Sequence, residues 1–418
     1  MLQAIKAHIL YADATDFVCR ENAYLVTEDG VVRGIFDALP APYQNAVVED
    51  YGDALLTPTF ADMHLHAPQY PMLGLGGDLQ LIDWLNAYAF PTEAMFSDAA
   101  FARLAYRQLA QELIQRGTTR VCMFSSLHAD ATRILMEELE AAGVTGYVGK
   151  VNMDRNGGEN LCETTEDSIR ETLRWLDACG DFKLVKPILT PRFTPSCTNE
   201  LMAALGKLAR ERALPVQSHL SENDNEIAWV KSLHPDCAQY WQTYAKYGLW
   251  KDGTLMAHCV HSDAQERAAM RNAGVYMVHC PDSNVNLRSG IAPVRRALQE
   301  GVRVVLGTDI AGGARLSMAD ALTMAIRMSK QRWIQTQGQD DFLRFREAFY
   351  LATTAGAAYF GAAPGFGTGE KLHAQVLTDA LLCPAPRPLT LPERLERLLY
   401  AADARSVLSV YSDGVQRL

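Results

Sequence analysis

Histidines and carboxylates recur at the points where short apolar runs of this sequence end. In chain order these residues are His64, His66, His219, His258 and Asp309. Residues two apart on a strand point to the same side, so His64 and His66 can hold one cation together. An imidazole from His219 and a carboxylate from Asp309 complete a set of N and O donors that suits zinc and leaves room for water. The pattern predicts a metal site that performs hydrolytic chemistry.

Glu222 follows His219 by three residues, in Ser218-His-Leu-Ser-Glu222. From this position a carboxylate can turn back over the metal and carry protons between water and a substrate nitrogen. A deamination needs such a proton carrier, whereas a simple peptide or ester hydrolase can work without one. His258 fits a ligand of a second metal, a partner that orients hydroxide, or a core histidine, and we favour the orienting partner.

The roles of two further histidines stay open. His279 lies in His279-Cys-Pro-Asp-Ser-Asn284 and is interpreted as a supporting loop residue rather than a ligand. His128 can equally well line the site or lie behind the residues that line it. More than half of the ten histidines nevertheless lie at or just past the ends of predicted strands, which random placement would rarely produce.

The elements that must position these residues alternate between strand and helix. Short apolar runs, each followed by a helix-length amphipathic stretch, recur from about Leu55 to Asp309. The runs that predict strands are 55–60, 119–124, 146–151, 184–190, 214–218, 254–257, 275–278 and 302–306. Strand and helix in alternation imply parallel strands, and this number of strands predicts an α/β fold with a (β/α)8 TIM barrel. The carboxyl ends of all barrel strands meet at one mouth, where distant residues become neighbours.

The two ends of the chain show a different pattern. Residues 1–54 and 366–418 contain short alternating runs and tight-turn signals that are typical of antiparallel β-structure. Neither end alone has enough strands to bury a face. We therefore predict that both termini form one small β-sandwich domain beside a metal-dependent barrel at residues 55–365.

Composition excludes several classes of function. The 418 residues carry a formal net charge of −10, which argues against binding to nucleic acid, because a phosphate backbone needs a basic face. The nine cysteines contain no CxxC pair and suggest reduced thiols in a cytoplasmic protein. We expect no membrane partner, because no run of about 18 uncharged apolar residues occurs and the first residues do not resemble a signal peptide.

At these residues the chain resembles the amidohydrolase superfamily and, within it, the guanine deaminases. The superfamily features are the first strand ending at His64-Leu-His66, the strand ends at His219 and His258, the HCPxSN motif at His279, and Gly307-Thr-Asp309. Motifs more specific to guanine deaminases are His64–Tyr70, Asp83–Leu85 with Phe90-Pro91, Gly149–Asp154, Val185–Phe193, Ser218–Asn223 and Gly307–Gly313. The similarity is nearly continuous from about Leu56 to Gly361.

The resemblance implies a reaction and the residues that perform it. The implied ligands of one zinc ion per chain are His64, His66, His219 and Asp309. The implied substrate contacts are Gln69, Arg192 and Phe193. Asp309 would accept a proton from water, Glu222 would protonate a ring nitrogen, and His258 would lie beside the hydroxide. Guanine, a purine base, would become xanthine and ammonia, and the resemblance suggests a homodimer.

Alternative interpretations remain open. Arg288 stands where relatives commonly have a small residue, which leaves a modified purine open as the substrate. The sequence also does not distinguish guanine from a related aminopurine or a pterin. A binuclear amidase on the same barrel would use a carboxylated Lys186 as the bridge between two metals. A third alternative is a non-catalytic relative that keeps the barrel as a scaffold. The segment Gly369–His373 departs from the family pattern, which leaves the pairing of the terminal strands open.

Overall fold

The strands fall into one sheet built from both ends of the chain and parallel sheets built from the middle. The computed structural model describes residues 1–158 and 160–418. The strands are β1 (Leu2–Ala12), β2 (Phe17–Glu28), β3 (Val31–Phe36), β4 (Val47–Pro58), β5 (Phe60–His66), β6 (Thr118–Phe124), β7 (Thr145–Gly149), β8 (Val151–Asn152), β9 (Val185–Pro187), β10 (Thr190–Pro191), β11 (Gln217–Leu220), β12 (Leu255–His258), β13 (Tyr276–His279), β14 (Arg303–Leu306), β15 (Ala374–Leu377), β16 (Val407–Ser412) and β17 (Val415–Gln416).

Helices connect the parallel strands and follow them. The α-helices are α1 (Leu81–Trp84), α2 (Phe90–Ala94), α3 (Ala99–Gln115), α4 (Ala129–Ala142), α5 (Thr165–Asp177), α6 (Asn199–Glu211), α7 (Asp224–Leu233), α8 (Gln242–Ala245), α9 (Ala264–Ala273), α10 (Pro281–Asn286), α11 (Val294–Gln299), α12 (Met318–Gln335), α13 (Phe345–Tyr350), α14 (Gly356–Tyr359) and α15 (Leu391–Ala401). Short 3-10 turns occur at Ala41–Tyr43, Ala67–Met72, Met95–Ser97, Thr194–Ser196 and Ala404–Ser406, and π-helical turns at Leu85–Ala89 and Leu351–Ala355.

The parallel strands pair in chain order. β5, β6, β7 and β9 form one sheet, β11, β12, β13 and β14 form another, and β8 pairs with β10. All residues of β5 and β6 are buried, as expected of parallel strands that are covered on both faces. The alternation of strand and helix confirms the predicted α/β class.

Backbone hydrogen bonds join these sheets on two sides. Leu189 lies between β9 and β10; its N–H donates to the carbonyl of Pro215, and its own carbonyl accepts from Gln217. On the other side, the Asp309 N–H donates to the carbonyl of His64 over 2.8 Å. Gly307 allows this close approach, because a Cβ there would lie 2.8 Å from the Cβ and the carbonyl oxygen of His64. The chain after β14 is therefore held directly against β5.

The first parallel strand begins later than the sequence pattern predicts. Leu55–Pro58 were expected to start the first strand of the barrel, but they form the end of β4 and pair with β15 in the terminal sheet. The first parallel strand is β5, which begins at Phe60. Both segments are apolar and buried, so hydrophobic periodicity alone does not separate them.

The two ends of the chain share one sheet. Its strand order is β17-β16-β15-β4-β1-β2-β3. β1 pairs with β4 in parallel and β4 pairs with β15 antiparallel, so strands from the last fifty residues extend a sheet that the first sixty begin. Residues from β1, β2, β4 and β15 form an apolar cluster, which includes Ile5, Leu25, Leu56 and Val376. Among the described residues, no helix combines the length and apolar character needed to cross a membrane.

Candidate metal centre and substrate cavity

Three imidazoles and one carboxylate converge at the ends of β5, β11 and β14. We call His64, His66, His219 and Asp309 the donor cluster, and all four side chains are buried. The Nε2 atoms of His66 and His219 lie 3.0 Å apart. Asp309 Oδ1 lies 3.2 Å from His64 Nε2 and 3.6 Å from His66 Nε2. Neighbouring donors around a tetrahedral zinc ion are roughly 3.3 Å apart, given bonds of about 2.0 Å. These three spacings are those of neighbouring ligands around one small cation.

The surroundings of the donor cluster determine which atoms face its centre. His219 Nδ1 donates to the carbonyl oxygen of Arg192 over 2.6 Å, so Nε2 keeps its lone pair for a cation. His64 Nε2 is buried and makes no hydrogen bond of normal geometry in the described part of the chain, although Asp309 Oδ1 lies 3.2 Å away. Burial lowers the pKa of His66 and of His219 well below the ordinary value, which keeps these rings neutral, as metal ligands must be. These residues fit a divalent metal ion.

Two other donors lie beside the donor cluster. The donor atoms of His64, His219 and His258 lie within 4.8 Å of one another. The same holds for His64, Cys280 and Asp309. Burial raises the pKa of the Cys280 thiol well above its ordinary value, and a thiol that keeps its proton is a poor metal ligand. The arrangement is a possible His/Asp metal site.

Glu222 and His258 face each other at the edge of the donor cluster. Glu222 Oε2 lies 3.5 Å from His258 Nε2. His258 Nδ1 donates to Asn284 Oδ1 over 2.9 Å, and Ser289 Oγ donates to Glu222 Oε1 over 3.3 Å. Burial raises the pKa of Glu222 to about 8, and the negative charge of Asp309 adds to the effect. A carboxyl group with this pKa can give up and take up a proton near neutral pH.

The backbone is strained where these side chains leave their strands. Ser221, His258, Cys259 and Asp309 have φ angles of 48°, 73°, 50° and 48°. Residues other than glycine rarely adopt this left-handed region, and each such position costs about 1–3 kcal/mol. Strain of this kind is typical of functional sites, where it aims side chains into a cavity.

A cavity opens over the donor cluster. Each of the predicted substrate contacts Gln69, Arg192 and Phe193 lines it, together with Glu222, His258 and Asp309. The remaining lining is mostly apolar and consists of Leu81, Trp84, Leu85 and Leu287, with His66 and His219 at the metal end. A mostly apolar pocket with a few converging polar groups is the usual form of a small-molecule site.

A buried carboxylate connects two of the predicted substrate contacts. Glu93 Oε1 accepts from Gln69 Nε2 over 2.8 Å and from Arg192 Nη2 over 2.9 Å. Its other oxygen accepts from Arg192 Nη1 over 2.5 Å. The backbone N–H of Ala311 donates to Gln69 Oε1 over 2.9 Å. We call Gln69, Glu93 and Arg192 the polar cradle.

Sequence reasoning did not single out several of these residues. The sequence analysis assigned no role to Glu93, Cys280, Asn284, Ser289 and the apolar lining residues. Cys280 and Asn284 lie within the His279 motif, the lining residues Trp84 and Leu85 lie within the Asp83–Leu85 motif, and Glu93 follows Phe90-Pro91 after Thr92. A place in or next to a motif was therefore a usable signal for these residues.

Other residues singled out in the sequence lie in different surroundings. His128 precedes α4 and lines a separate cavity with Phe96 and Arg174. His279 is buried, and burial lowers its pKa to about 3. Arg288 donates to the carbonyl of Asp78 over 2.9 Å, which ties the chain after α10 to the segment before α1. Lys186 on β9 is exposed, whereas the donor cluster is buried, and this placement counts against Lys186 as a bridge between two metals.

The sequence pattern of the amidohydrolase family matches residues 55–415. The chain belongs to the amidohydrolase family. Members of this family depend on metal ions, in agreement with the possible His/Asp site.

Relatives of this amidohydrolase are guanine deaminases. The guanine deaminase of Dictyostelium discoideum is 38% identical over 381 residues, which cover 89% of this chain and 84% of that protein. The Escherichia coli K12 guanine deaminase is 34% identical over 377 residues, covering 88% of this chain and 84% of that protein. The crystal structure of guanine deaminase from C. acetobutylicum, with guanine bound in the active site, superposes with a TM-score of 0.96 at 42% identity and covers 100% of both chains. The resemblance inferred from the motifs is confirmed.

Proposed function

We propose that this amidohydrolase is a zinc-dependent guanine deaminase, which converts guanine and water into xanthine and ammonia. The observation that carries the proposal is one cavity whose lining includes three members of the donor cluster (His66, His219 and Asp309), Glu222, and the Gln69 and Arg192 side chains of the polar cradle. A metal site alone would fit many hydrolases. Polar groups that match a purine, placed beside a proton carrier and the metal donors, fit the deamination of a purine base.

The walls of the cavity suit the chemistry of guanine. Arg192 can donate to a ring carbonyl, and the Gln69 amide can donate and accept at the polar edge of the base. Phe193 and the apolar side chains offer surfaces for the face of the ring. Leu81 and Trp84 line the wall formed by the segment between β5 and α3. A flat, neutral, polar-edged molecule fits these walls.

The donor cluster would hold the zinc ion, since imidazole and carboxylate donors suit this metal. When bound, zinc would lower the pKa of water and so supply a nucleophile at neutral pH. Glu222 donates a proton to the ring nitrogen beside the amino-bearing carbon, and that carbon becomes more electrophilic. Asp309 accepts a proton from the attacking water, and His258 Nε2 offers this water a hydrogen-bond partner. Glu222, now deprotonated, takes up the remaining hydroxyl proton of the added water as the new carbonyl forms and passes it to the amino group, so that the C–N bond breaks and ammonia leaves. The proton held by Asp309 then returns to Glu222, which restores both carboxyl groups.

The proposed function is tested by ammonia release from a panel of purines, pterins and pyrimidines, with zinc-loaded protein and the metal content measured in parallel. We expect guanine to give the highest kcat/KM with one zinc per chain. Faster turnover of another aminopurine or of a pterin would show that this compound, and not guanine, is the preferred substrate. Two metals per chain together with loss of activity in Lys186→Ala would favour the binuclear amidase, and an intact chain that binds no zinc would favour the scaffold.

We also infer that the middle of the chain forms a closed barrel and that its two ends form a β-sandwich. The parallel pairing order and the hydrogen bonds on both sides of the two main sheets support a (β/α)8 barrel within the predicted residues 55–365, with β5 at Phe60 as its first strand. An antiparallel bridge between Val31 and Lys371 brings β3 towards the strand that follows Lys371, and this supports a β-sandwich made of residues 1–54 and 366–418. Limited proteolysis that cuts first near the exposed residues 363 and 364 would agree with the second bound, whereas the first bound lies inside the buried end of β4 and should resist cleavage.

The assembly and location of the protein are also proposals. We propose a cytoplasmic homodimer, based on the resemblance to guanine deaminases and on cysteines that are all free thiols. Light scattering of the purified chain that gives a monomer mass would contradict the dimer.

A further inference from the structure

Glu93 is the buried residue of the polar cradle that the proposed mechanism does not use. Its side chain is 1% exposed and that of Arg192 is 2% exposed. A buried carboxylate is retained at low cost only when it is paired and fully hydrogen-bonded. Glu93 meets this condition by accepting from both terminal nitrogens of Arg192 and from Gln69.

The hydrogen bonds to Gln69 fix which way its amide points. The N–H of Ala311 is a donor, so the Gln69 atom that faces it must be the oxygen. The Glu93 carboxylate is an acceptor, so the atom that faces it must be the amide nitrogen. One N–H and one oxygen lone pair of Gln69 then remain for a ligand. Without Glu93 the amide would be held only at its oxygen.

The pair also removes net charge from the substrate end of the cavity. The guanidinium of Arg192 is matched by the carboxylate of Glu93 in a two-point contact, the strongest geometry for such a pair. The same helix, α2, places the Phe90 ring 5.0 Å from the guanidinium carbon. Arg192 can therefore offer N–H groups to a ligand without presenting an uncompensated positive charge.

We propose that Glu93 is a positioning residue that fixes Gln69, neutralises Arg192, and so makes the cavity prefer an uncharged heterocyclic base over an anionic one. The inference rests on the proposed function, because it assigns the purine-facing groups of the same cavity. It adds a source of specificity. Glu93 does not contact the ligand itself, but by neutralising Arg192 it would determine whether the cavity favours a neutral or an anionic ligand.

The test compares Glu93→Gln with two other variants. Glu93→Asp keeps the charge with a shorter side chain. Glu138→Gln is the matched control, because Glu138 is also buried and paired with two arginines, Arg103 and Arg107, but lies on α4. Calorimetric titrations measure the Kd of hypoxanthine, which is neutral at neutral pH, and of urate, which is an anion there. Zinc content and Tm are measured for each variant.

We expect Glu93→Gln to keep its zinc and to bind hypoxanthine about 10-fold more weakly, since a hydrogen bond to a charged group is lost. Its ratio of urate affinity to hypoxanthine affinity should rise about 10-fold or more, because Arg192 is left with an uncompensated charge. With guanine as substrate, KM should rise more than kcat falls. Glu93→Asp should restore the wild-type affinity ratio, and Glu138→Gln should lower Tm without changing that ratio.

The outcomes separate this inference from the proposed function. An unchanged affinity ratio in Glu93→Gln, or the same change in Glu138→Gln, would overturn the role of Glu93 while leaving guanine deamination intact. A wild-type chain that neither releases ammonia from guanine nor binds these purines would overturn the proposed function and, with it, the inference. If Glu93→Gln fails to fold, a shifted ratio in Glu93→Asp would likewise count against the proposal.

Discussion

The donor cluster and the polar cradle both contribute side chains to one cavity but are held in place by different means. His64, His66 and His219 lie on strands β5 and β11, and their positions follow from the backbone pairing of those strands. The polar cradle takes Glu93 from the long segment between β5 and α3 and is held together by side-chain contacts to Arg192. The metal end is therefore specified by the sheet, and the substrate end by one ion pair. Variants at the two ends should affect different measurable quantities.

The largest effect is expected at the metal end. His219→Ala removes one ring from the donor cluster, so the chain should lose its metal and its activity should fall by at least about 10⁴-fold, because the metal supplies several kcal/mol of transition-state stabilisation. Metal analysis and ammonia release measure both quantities. His234→Ala is the control, since His234 is another buried histidine but lies in a separate groove with Cys237 and Tyr240. Full metal content in His219→Ala would show that this ring is not a ligand.

A smaller effect is expected at the proton carrier between the two ends. Glu222→Gln keeps the shape of the side chain but removes its titration, so kcat should fall by about 10²- to 10⁴-fold while zinc content and KM change little. Steady-state kinetics with metal analysis give all three values. Unchanged turnover would remove Glu222 from the proton transfers, and loss of zinc would instead make it part of the metal site.

The sequence predicted the convergence of the donor cluster better than that of the polar cradle, and the reason is physical. Histidines at the ends of parallel strands converge because the fold brings those ends together, so the residues of the donor cluster were recognisable from spacing alone. Glu93 lies on a short helix within a connecting segment, where strand or helix periodicity gives no information about its direction. The bounds of β4 and β5 were missed for a related reason, since two buried apolar runs adjoin at Thr59. Gln69, Arg192 and Phe193 were predicted as substrate contacts only from the resemblance to family motifs, because composition and periodicity do not single them out.

A variant at the substrate end should leave the metal in place. Arg192→Ala removes the guanidinium but keeps the backbone carbonyl that accepts from His219. KM should rise about 10- to 100-fold with zinc retained, since hydrogen bonds to a charged donor are lost. Tm should also fall, because Glu93 becomes an unpaired buried charge, and Arg192→Ala combined with Glu93→Gln should recover part of that loss. A change in kcat alone, without a change in KM, would contradict a substrate-binding role.

The smallest effect is expected behind His258. Asn284 Oδ1 accepts from His258 Nδ1, which directs the Nε2 atom towards Glu222 and Asp309. Asn284→Ala leaves the ring without this support, and kcat should fall about 10-fold, at the lower end of what partners behind a metal site contribute. Asn272→Ala, on the exposed surface of α9, is the control. A fall in zinc content as large as the fall in kcat would mean that His258 helps to hold the metal. His258 would then belong to the donor cluster and not to the proton-transfer groups.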